Sequence, residues 1–223
     1  MFYGVLPLRV DFLRKVYKIP EHKLDLLVLG ADDTQFDLSE KESIRYNIRN
    51  RYNIKENDFL VVSGGKIDLR KNIHILMKSI SELNENNIKL IIFGAVNDDL
   101  NEEVNKYKSN KNIILIDWLN TKEVFEILMA ADLGFFPGTH SVLWEQSVGI
   151  GLPCVFKRWE GIEHVDVGGN CLFIDEISTK SIKESLLRIV NDKEFYQNML
   201  RLALRKGIEK FSYSKIAKYA IEK

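Results

Sequence analysis

Residues that could bind an anionic ligand are concentrated in three short segments of the sequence. The first segment spans residues 63–72 and combines paired glycines with three cations. Its relevant residues are Gly64, Gly65, Lys66, Arg70 and Lys71. Glycines let a backbone approach a ligand closely, and clustered cations recognise phosphate oxygens. The segment therefore predicts a phosphate-binding loop, with a solvated turn carrying surface lysines as the alternative.

The second segment, residues 136–146, has the composition of a loop that leads into a helix. Gly138 permits a tight turn, and Thr139 or Ser141 could cap the helix. The free amides of a first helical turn attract anionic oxygens. His140 precedes that turn and could donate a hydrogen bond to a phosphate or a sugar hydroxyl, or serve instead as a capping or packing residue.

Two polar residues, Glu145 and Gln146, interrupt the otherwise apolar helix that follows. A carboxylate or an amide in a buried helix needs a hydrogen-bonding partner. A ribose diol is one candidate partner. A neighbouring side chain or backbone group is the other.

The third segment, residues 157–165, mixes charges, an aromatic ring and a glycine, and Gly168-Gly169-Asn170 follows it. Binding residues are concentrated in loops of this kind. A weaker candidate is Trp118, which could stack on a flat base or could be buried. Burial is the interpretation that its sequence context favours.

Short apolar runs separated by amphipathic stretches set the fold expectation. The predicted strands are Leu26 to Leu29, Phe59 to Ser63, Lys89 to Phe93, Ile113 to Ile116, Leu133 to Phe136, Cys154 to Phe156 and Cys171 to Ile174. Near-continuous apolar strands are typical of a parallel sheet that is buried on both faces. We therefore expect an α/β domain with a Rossmann-like, doubly wound, mainly parallel sheet, whose ligands bind beyond the carboxyl ends of the strands.

Helix signals fill the intervals between the predicted strands. Ser39 and Glu42 match a capping box, and Thr121 is placed to cap a later helix. From Ser178 to about Lys210 the apolar spacing is helical throughout, which predicts consecutive helices without an intervening strand.

Composition and charge exclude several classes of protein. The 223 residues are 45% hydrophobic, and 32 Lys and Arg balance 32 Asp and Glu. A net charge of zero provides no overall attraction to nucleic acid or to an anionic membrane. No apolar run approaches the roughly 18 residues of a membrane span, and no signal peptide is recognisable.

The cysteines and the candidate ligands suggest where the protein works. Cys154 and Cys171 lie in apolar surroundings and predict buried thiols, which points to a reducing, cytoplasmic location. No cluster with metal-ligand spacing stands out in the sequence, so no metal site is expected.

Five motifs, taken in chain order, resemble the C-terminal, nucleotide-sugar-binding domain of GT-B glycosyltransferases, most closely the family 4, glycogen synthase-like group. Each corresponds to a pattern typical of that domain. The motifs are Leu26–Asp32 at the entry strand, Gly65–Asn72 for G-R-L-x-x-x-K-G, Ala131–Gly138 for an aspartate, apolar residues and P-S, Gly151–Val155 for G-x-P-V, and Phe211–Ala217 for F-S-W-x-x-x-A. The resemblance covers nearly the whole chain.

The resemblance implies a donor site and a substrate. Lys66 takes the place of the family's arginine and Lys71 that of its lysine, the pair that holds the donor diphosphate, and Arg70 is placed to assist. The substrate would be a nucleoside-diphosphate sugar, whose sugar is transferred to an acceptor hydroxyl as the nucleoside diphosphate leaves, without a metal or another cofactor. The implied donor-binding set is Gly65, Lys66, Arg70, Lys71, Trp118, Gly138, Thr139, Ser141, Glu145 and Gln146.

The sequence departs from the family at one signature. That signature has two glutamates separated by seven residues, and its second position falls on Gln146, beside Glu145. The first position falls on Gly138, so the first glutamate is missing. We expect His140, Ser141 and backbone amides to take over its work, with His140 as the catalytic residue.

GT-B enzymes place the active site between two Rossmann-like domains, and the resemblance covers one of them. We therefore expect residues 1–223 to form a single donor-binding domain, with residues 1–25 as an inter-domain lead-in and residues 211–223 as a C-terminal helix. An N-terminal domain, absent here, would supply the site for a glycan or lipid-linked acceptor. The parent protein would then be cytoplasmic, working at the inner membrane surface, and this chain alone would bind a donor without efficient transfer.

Two other functions fit the same residues. A non-catalytic Rossmann-like module would bind a nucleotide or a protein partner without chemistry, and a nucleotide-sugar 2-epimerase would share the GT-B architecture. A dehydrogenase-like domain is disfavoured because no GxGxxG follows the first strands.

Overall fold

The computed structural model describes residues 1–83, 85 and 87–222 of the chain. Within them, eight strands form two sheets, surrounded by helices. The strands are β1 (Phe2–Gly4), β2 (Leu24–Leu26), β3 (Phe59–Gly64), β4 (Ile88–Phe93), β5 (Ile113–Ile116), β6 (Leu133–Phe136), β7 (Cys154–Lys157) and β8 (Cys171–Ile174). The α-helices are α1 (Pro7–Lys15), α2 (Lys41–Arg51), α3 (Ile73–Ser81), α4 (Asn101–Asn105), α5 (Thr121–Ala130), α6 (Leu143–Gly149), α7 (Thr179–Asn191), α8 (Lys193–Leu202), α9 (Ile208–Lys210) and α10 (Tyr213–Glu222).

The main sheet has six strands in the order β5-β4-β3-β6-β7-β8, and every neighbouring pair is parallel. Its central strand β3 carries Leu60, Val61 and Val62, all fully buried. Leu60 and Val62 pack into the core on one face and Val61 into the core on the other. The expected doubly wound parallel sheet is confirmed, because strands covered on both faces must be apolar at consecutive positions.

The strand order reverses direction between β3 and β6. The chain runs outward from β3 through β4 to β5, then returns to place β6 on the other side of β3. Ligands of open α/β sheets bind at such a switch point, beyond the carboxyl ends of the strands. The topology therefore brings the loops after β3 and β6 side by side.

A half-buried carboxylate, that of Asp132, fixes the opposite, amino-terminal edge of this switch. Asp132 precedes β6 and accepts hydrogen bonds from the guanidinium groups of Arg45 and Arg49, at 2.6 Å each, and from the Leu60 amide at 2.7 Å. Arg49 is nearly fully buried. This network joins helix α2 to the two central strands, away from the candidate site.

Two of the predicted helix caps are wrong by a short distance along the chain. Helix α2 follows a 3-10 turn over Leu38–Glu40, and Asp37 caps that turn by accepting the Ser39 amide. Asn120, and not Thr121, caps helix α5. In each case the residue with extended backbone just before the turn can direct its side chain back to the free amides.

The C-terminal third is helical from Ser178 to Lys210, as expected, with a π-helical turn over Ala203–Gly207. Beyond it, Phe211 is fully buried and its carbonyl accepts the Ala31 amide at 2.8 Å. The Ala31 carbonyl in turn accepts the Tyr213 amide at 3.0 Å. A Cβ on Gly30 would lie 2.5 Å from the Phe211 carbonyl oxygen, so glycine allows this close approach. Helix α10 is thereby fastened to residues 30–31.

The first 26 residues form a strand, a helix and a second strand outside the main sheet. β1 and β2 pair in parallel as a two-stranded sheet. The predicted strand over Leu26 to Leu29 is therefore misplaced, because pairing with β1 ends at Leu26 and the main sheet offers these residues no neighbour. Neither α1 nor any other helix in the described part of the chain is long and apolar enough to cross a membrane.

Candidate functional site

A cavity of about 400 Å³ lies beyond the carboxyl ends of β3, β4 and β5. The walls come from the ends of β3 and β4, from the connections after β3, β5 and β6, and from the first turns of α5 and α6. The lining residues are Gly64, Gly65, Lys71, Phe93, Trp118, Leu119, Asn120, Thr121, Val124, Ser141, Val142, Leu143 and Gln146. Lys71 is the only charged side chain among the described residues that line it. The cavity thus combines apolar walls with one cation.

Glycines let the loops after β3 and β4 touch at this edge. Gly65 has a φ of +101° and donates its amide to the Phe93 carbonyl at 3.0 Å. Gly94 has a φ of +127°, and a Cβ there would lie 1.9 Å from the Gly65 carbonyl oxygen. Any other residue at position 94 would separate the loops, since side chains rarely adopt this backbone conformation and here would also collide. The floor of the cavity depends on this contact.

Lys71 is the cation that the structure brings to the cavity. Its Nζ atom donates to the carbonyl oxygens of Thr139 at 2.7 Å and His140 at 3.2 Å. Burial lowers the pKa of the Lys71 ammonium from its usual value. Lys71 also borders a smaller recess beside Gly138, Thr139 and Ser141. The lysine therefore joins the loop after β3 to the loop after β6.

The other two predicted cations of this loop point elsewhere. Lys66 is exposed and does not line the cavity. Arg70 is also exposed, and its guanidinium pairs with the Asp68 carboxylate at 2.7 Å. Asp68 is occupied in turn by capping the 3-10 turn over Leu69–Lys71. Of the three predicted phosphate contacts, the structure places one at the cavity wall.

Gly138 serves close packing rather than a tight turn. A Cβ at this position would lie 2.3 Å from Lys71 Cα and 2.4 Å from the Arg70 carbonyl oxygen. The same approach lets the Thr139 amide donate to the Arg70 carbonyl at 3.1 Å. On the other side, Trp159 Nε1 donates to the Gly138 carbonyl at 3.1 Å. Gly138 is thus fixed between the loops after β3 and β7.

The expected cap of helix α6 by Thr139 or Ser141 is wrong. The N-cap of α6 is Val142, which makes no side-chain capping bond. The Ser141 main-chain carbonyl accepts the Trp144 amide at 3.0 Å, which tightens the entry to the helix. The chain reaches α6 through a helical turn at Val142, so the polar side chains lie too early to cap it. Ser141 lines the cavity instead.

Trp118 is exposed, contrary to the expectation that it is buried. Its exposed fraction is 68%, and it borders the cavity together with Leu119 and Val124. The residue follows β5 directly, where the connection to helix α5 crosses the carboxyl edge of the sheet. An exposed indole beside an apolar wall offers a stacking surface for a flat ring.

Glu145 and Gln146, neighbours on helix α6, face different environments. Gln146 is half-buried and lines the cavity, so it is available to a ligand. Glu145 is fully buried and does not line the cavity. Consecutive side chains on an α-helix point in directions about 100° apart, so Glu145 and Gln146 face different sides of α6. Of the two alternatives for Glu145, the structure shows the neighbouring side chains as partners.

Those partners are two histidines from different loops. His140 Nε2 lies 2.7 Å and His164 Nε2 lies 2.8 Å from Glu145 Oε1. The exposed fractions of the side chains are 14% for His140, 4% for His164 and 0% for Glu145. Burial raises the pKa of the Glu145 carboxyl, but the hydrogen bonds from both histidines outweigh it and hold the pKa below its usual value.

This histidine-glutamate cluster is incompletely satisfied. Glu145 Oε2 and His164 Nδ1 are buried and have no hydrogen-bond partner within the described part of the chain. The three side chains bring one ligand atom each within 4.8 Å of one another, so they could together hold a metal ion. His164 lies 19 positions beyond Glu145, and only its place in a polar loop singled it out in the sequence.

One protein-family model matches most of the chain, and the relatives found by sequence carry glycosyltransferase names. The family model described as Glycosyl transferases group 1 matches residues 44–205. An uncharacterized glycosyltransferase of Methanocaldococcus jannaschii is 20% identical over 213 residues, which cover 92% of this chain and 55% of the relative. A UDP-N-acetylglucosamine–N-acetylmuramyl-(pentapeptide) pyrophosphoryl-undecaprenol N-acetylglucosamine transferase of Lactococcus lactis is 24% identical over 166 residues, 69% of this chain and 46% of the relative.

Solved structures share the fold at similar identity. WaaG, a glycosyltransferase involved in lipopolysaccharide biosynthesis, superposes with a TM-score of 0.76 at 20% identity, over 98% of this chain and 61% of its own. Anabaena HepE, solved in complex with UDP and glucose, superposes with a TM-score of 0.75 at 15% identity, over 99% of this chain and 61% of its own. The chain spans about half the length of the curated relatives it matches.

Proposed function

The chain belongs to the group 1 glycosyltransferases. We therefore propose that its cavity binds the nucleoside diphosphate of a nucleotide-sugar donor. The observation that carries the proposal is the cavity itself, with Lys71 in one wall and the exposed ring of Trp118 in another. Its volume of about 400 Å³ lies within the range of small-molecule sites. An apolar site with one cation suits a ligand that joins a flat ring to an anion.

Lys71 is the proposed partner of the diphosphate. Its ammonium already binds two carbonyl oxygens, so it is held in place before a ligand arrives. Preorganised charge of this kind stabilises a leaving group without further rearrangement, and needs no metal ion at the diphosphate. Lys66 and Arg70 are proposed as outer contacts, since their exposed, flexible side chains belong to the same loop.

Trp118 and Gln146 are the proposed contacts of the nucleoside. The indole of Trp118 would stack on the base, against the apolar wall that contains Val124. The side-chain amide of Gln146 can donate and accept at once, which suits a ribose diol. Gly65 would leave its backbone accessible to the same ligand.

In the intact protein we propose transfer of the sugar to an acceptor hydroxyl. The physical task is to stabilise the departing diphosphate while an oxocarbenium-like sugar is transferred. His140 is the proposed catalytic residue. Its backbone carbonyl accepts from Lys71 at 3.2 Å, whereas its ring is bonded to Glu145 and does not line the cavity, so catalysis would require the ring to turn toward the sugar. A glycan or lipid-linked acceptor would bind to parts of the protein beyond this chain. The involvement of WaaG in lipopolysaccharide biosynthesis supports an acceptor of this class.

Calorimetric titration of this chain with UDP, GDP and ADP, and with their sugars, tests the donor site. Saturable binding that prefers one base and is lost by Lys71→Met would support the proposal. Absence of binding at millimolar ligand would contradict the proposal that this chain contains a functional donor site. The nucleoside without its diphosphate is the internal comparison, because it keeps the base contact and lacks the contact to Lys71.

A second candidate is a domain that binds nucleotide without catalysis. No carboxylate lines the cavity in the described part of the chain, and Gly138 occupies the position of the first family glutamate. Turnover of a donor by the intact protein would exclude this candidate. Analysis of the product would also separate transfer from epimerisation of the donor sugar.

A further inference from the structure

We propose that His140, Glu145 and His164 form a zinc-binding site beside the donor cavity. The three ligands do not include Lys71, which we assign to the diphosphate, and their role would be to bind a metal ion. It does not rest on the proposed donor binding, because it is argued from the cluster alone. Its ligand would be a divalent transition ion, with zinc as the ion that the donor atoms suit best.

The donor atoms have the chemistry of a zinc site. Two imidazole nitrogens and one carboxylate oxygen are a ligand set that zinc accepts, with a fourth position left for water or substrate. Carboxylate and imidazole together favour zinc over magnesium or calcium, which prefer oxygen ligands alone. All three ligand atoms lie within 4.8 Å of one another.

The hydrogen-bonding pattern is that of a cluster open to a further group. Both Nε2 atoms converge on the same oxygen, Oε1 of Glu145. Its other oxygen, Oε2, is buried and unpartnered within the described part of the chain, as is His164 Nδ1. Buried polar atoms are nearly always satisfied, so a buried, unpartnered oxygen on the carboxylate that both histidines contact indicates a missing group. A cation between the three side chains would engage that carboxylate.

The geometry needs little adjustment to admit the ion. Zinc bonds of about 2.0 to 2.2 Å at tetrahedral angles separate the donor atoms by about 3.3 Å. The present separations from Glu145 Oε1 are 2.7 Å to His140 and 2.8 Å to His164. A shift of roughly half an ångström would bring each imidazole to the required distance from Oε1. The two imidazole nitrogens lie within 4.8 Å of each other and would have to reach the same spacing. His140, 14% exposed, provides the route of entry.

Three different elements hold the ligands at rigid positions. Glu145 lies on helix α6, His164 on the 3-10 turn over Glu163–Val165, and His140 on the loop after β6. A lysine pins the backbone of each histidine, since Lys71 donates to the His140 carbonyl at 3.2 Å and Lys210 to the His164 carbonyl at 2.6 Å. Sites built on fixed backbone keep their geometry without the ion. The ion would tie the loop after β6 to the loop after β7.

Zinc titration of the tag-free chain tests the proposal directly. The chain is stripped with a chelator, dialysed and titrated with zinc by calorimetry, and bound metal is counted by elemental analysis. We expect one zinc ion per chain and a higher unfolding temperature with zinc than without. Replacement with cobalt should give the visible absorption of a four-coordinate ion.

Variants assign the ion to the cluster. Glu145→Gln, His164→Asn and His140→Asn should each weaken zinc binding by more than the roughly 10- to 100-fold that changes outside the ligand set cause. His22→Asn is the matched control, because His22 is an exposed histidine outside the cluster. Its affinity for zinc should equal that of the unchanged chain.

Two results would overturn the proposal. The first is less than a tenth of an equivalent of zinc on the unchanged chain, which would identify the cluster as a hydrogen-bonded ion group only. The second is binding that the folded His140→Asn variant retains in full, which would assign the zinc to other surface groups. His140→Asn is the most informative variant, because a partly exposed ligand is replaced at the smallest risk to folding.

Discussion

The conversion of Lys71 to methionine is the sharpest test of the donor site. Methionine keeps an unbranched apolar stem of similar length and removes the ammonium. In the structure that ammonium makes two hydrogen bonds, to the carbonyl oxygens of Thr139 and His140. The substitution therefore removes a contact inside the protein and the proposed contact to the diphosphate, and the two effects can be measured separately.

The expected magnitudes follow from the geometry. Hydrogen bonds from a charged donor contribute about 1.5 to 3 kcal/mol each. The 2.7 Å bond to Thr139 is of full strength and the 3.2 Å bond to His140 is weaker. Burial that lowers the pKa of Lys71 offsets part of this gain, so we expect the free energy of unfolding to fall by about 1 to 2 kcal/mol. Loss of the diphosphate contact should cost about 1.5 to 3 kcal/mol, a rise in Kd of about 10- to 160-fold.

The assay pairs calorimetric titration with urea unfolding of the same samples. The nucleoside diphosphate that binds best to the unchanged chain is titrated beside its nucleoside, whose affinity Lys71→Met should leave unchanged. Lys78→Met is the control for the charge change, because Lys78 is exposed on helix α3 and away from the cavity. Neither its stability nor its nucleotide affinity should move.

Two outcomes would contradict a contact between Lys71 and the diphosphate. One is a Kd for the diphosphate that stays within about threefold of the unchanged chain while the variant is folded. The other is an equal loss for the nucleoside and for its diphosphate, which would mean that Lys71 shapes the cavity without contacting phosphate. The first result would move the diphosphate to Lys66 and Arg70, the other cations of the loop.

Three further predictions concern the same cavity. Since the pKa of Lys71 is lowered from 10.5, the ammonium loses its proton earlier than an ordinary lysine as pH rises, so diphosphate affinity should fall toward that of Lys71→Met below pH 10.5. Because Lys71 has its ordinary, higher pKa in the unfolded chain, the unfolded chain holds this proton more tightly, and the contribution of Lys71 to the free energy of unfolding should rise with pH over the same range. Unfolding measured against pH in the unchanged chain and in Lys71→Met checks this. Trp118→Ala should weaken nucleotide binding by about 1 to 3 kcal/mol, because the stacking on the base is lost. Tyr46→Ala is the control, since Tyr46 is equally exposed at 68%, and its nucleotide affinity should not change. Equal nucleotide affinities of Trp118→Ala and the unchanged chain would contradict the stacking. Gly138→Ala places a Cβ 2.3 Å from Lys71 Cα. The substitution should lower the free energy of unfolding by about 1 to 3 kcal/mol and also weaken diphosphate binding. An unfolding curve identical to that of the unchanged chain would contradict the close approach.

The strands of the main sheet were predictable because their signal is local. Phe59–Gly64 and Leu133–Phe136 are mainly apolar runs of strand length, and such runs are typical of a parallel sheet covered on both faces. The same reasoning failed for Leu26 to Leu29. That run is equally apolar, but its pairing depends on β1, which lies more than twenty residues earlier in the chain.

Helix termini were predictable only approximately. Asn120 and Thr121 are both good capping residues, and the choice between them depends on which one has extended backbone. Trp118 illustrates the same limit for exposure. The residues beside Trp118 in the sequence do not fix whether its side chain is buried or exposed. The path of the connection after β5 places it at the cavity edge.

The fold class, the order of the loops and the residue types that could bind an anion follow from the sequence, because periodicity, glycines and clustered charges act over a few positions. Which of these residues meet depends on tertiary packing. It selected Lys71 over Lys66 and Arg70 for the cavity wall, and it turned Glu145 away from the cavity toward His164. The physical reason is that parallel strands bring loops from distant parts of the chain to one edge, and the packing between those loops then sets the direction of every side chain.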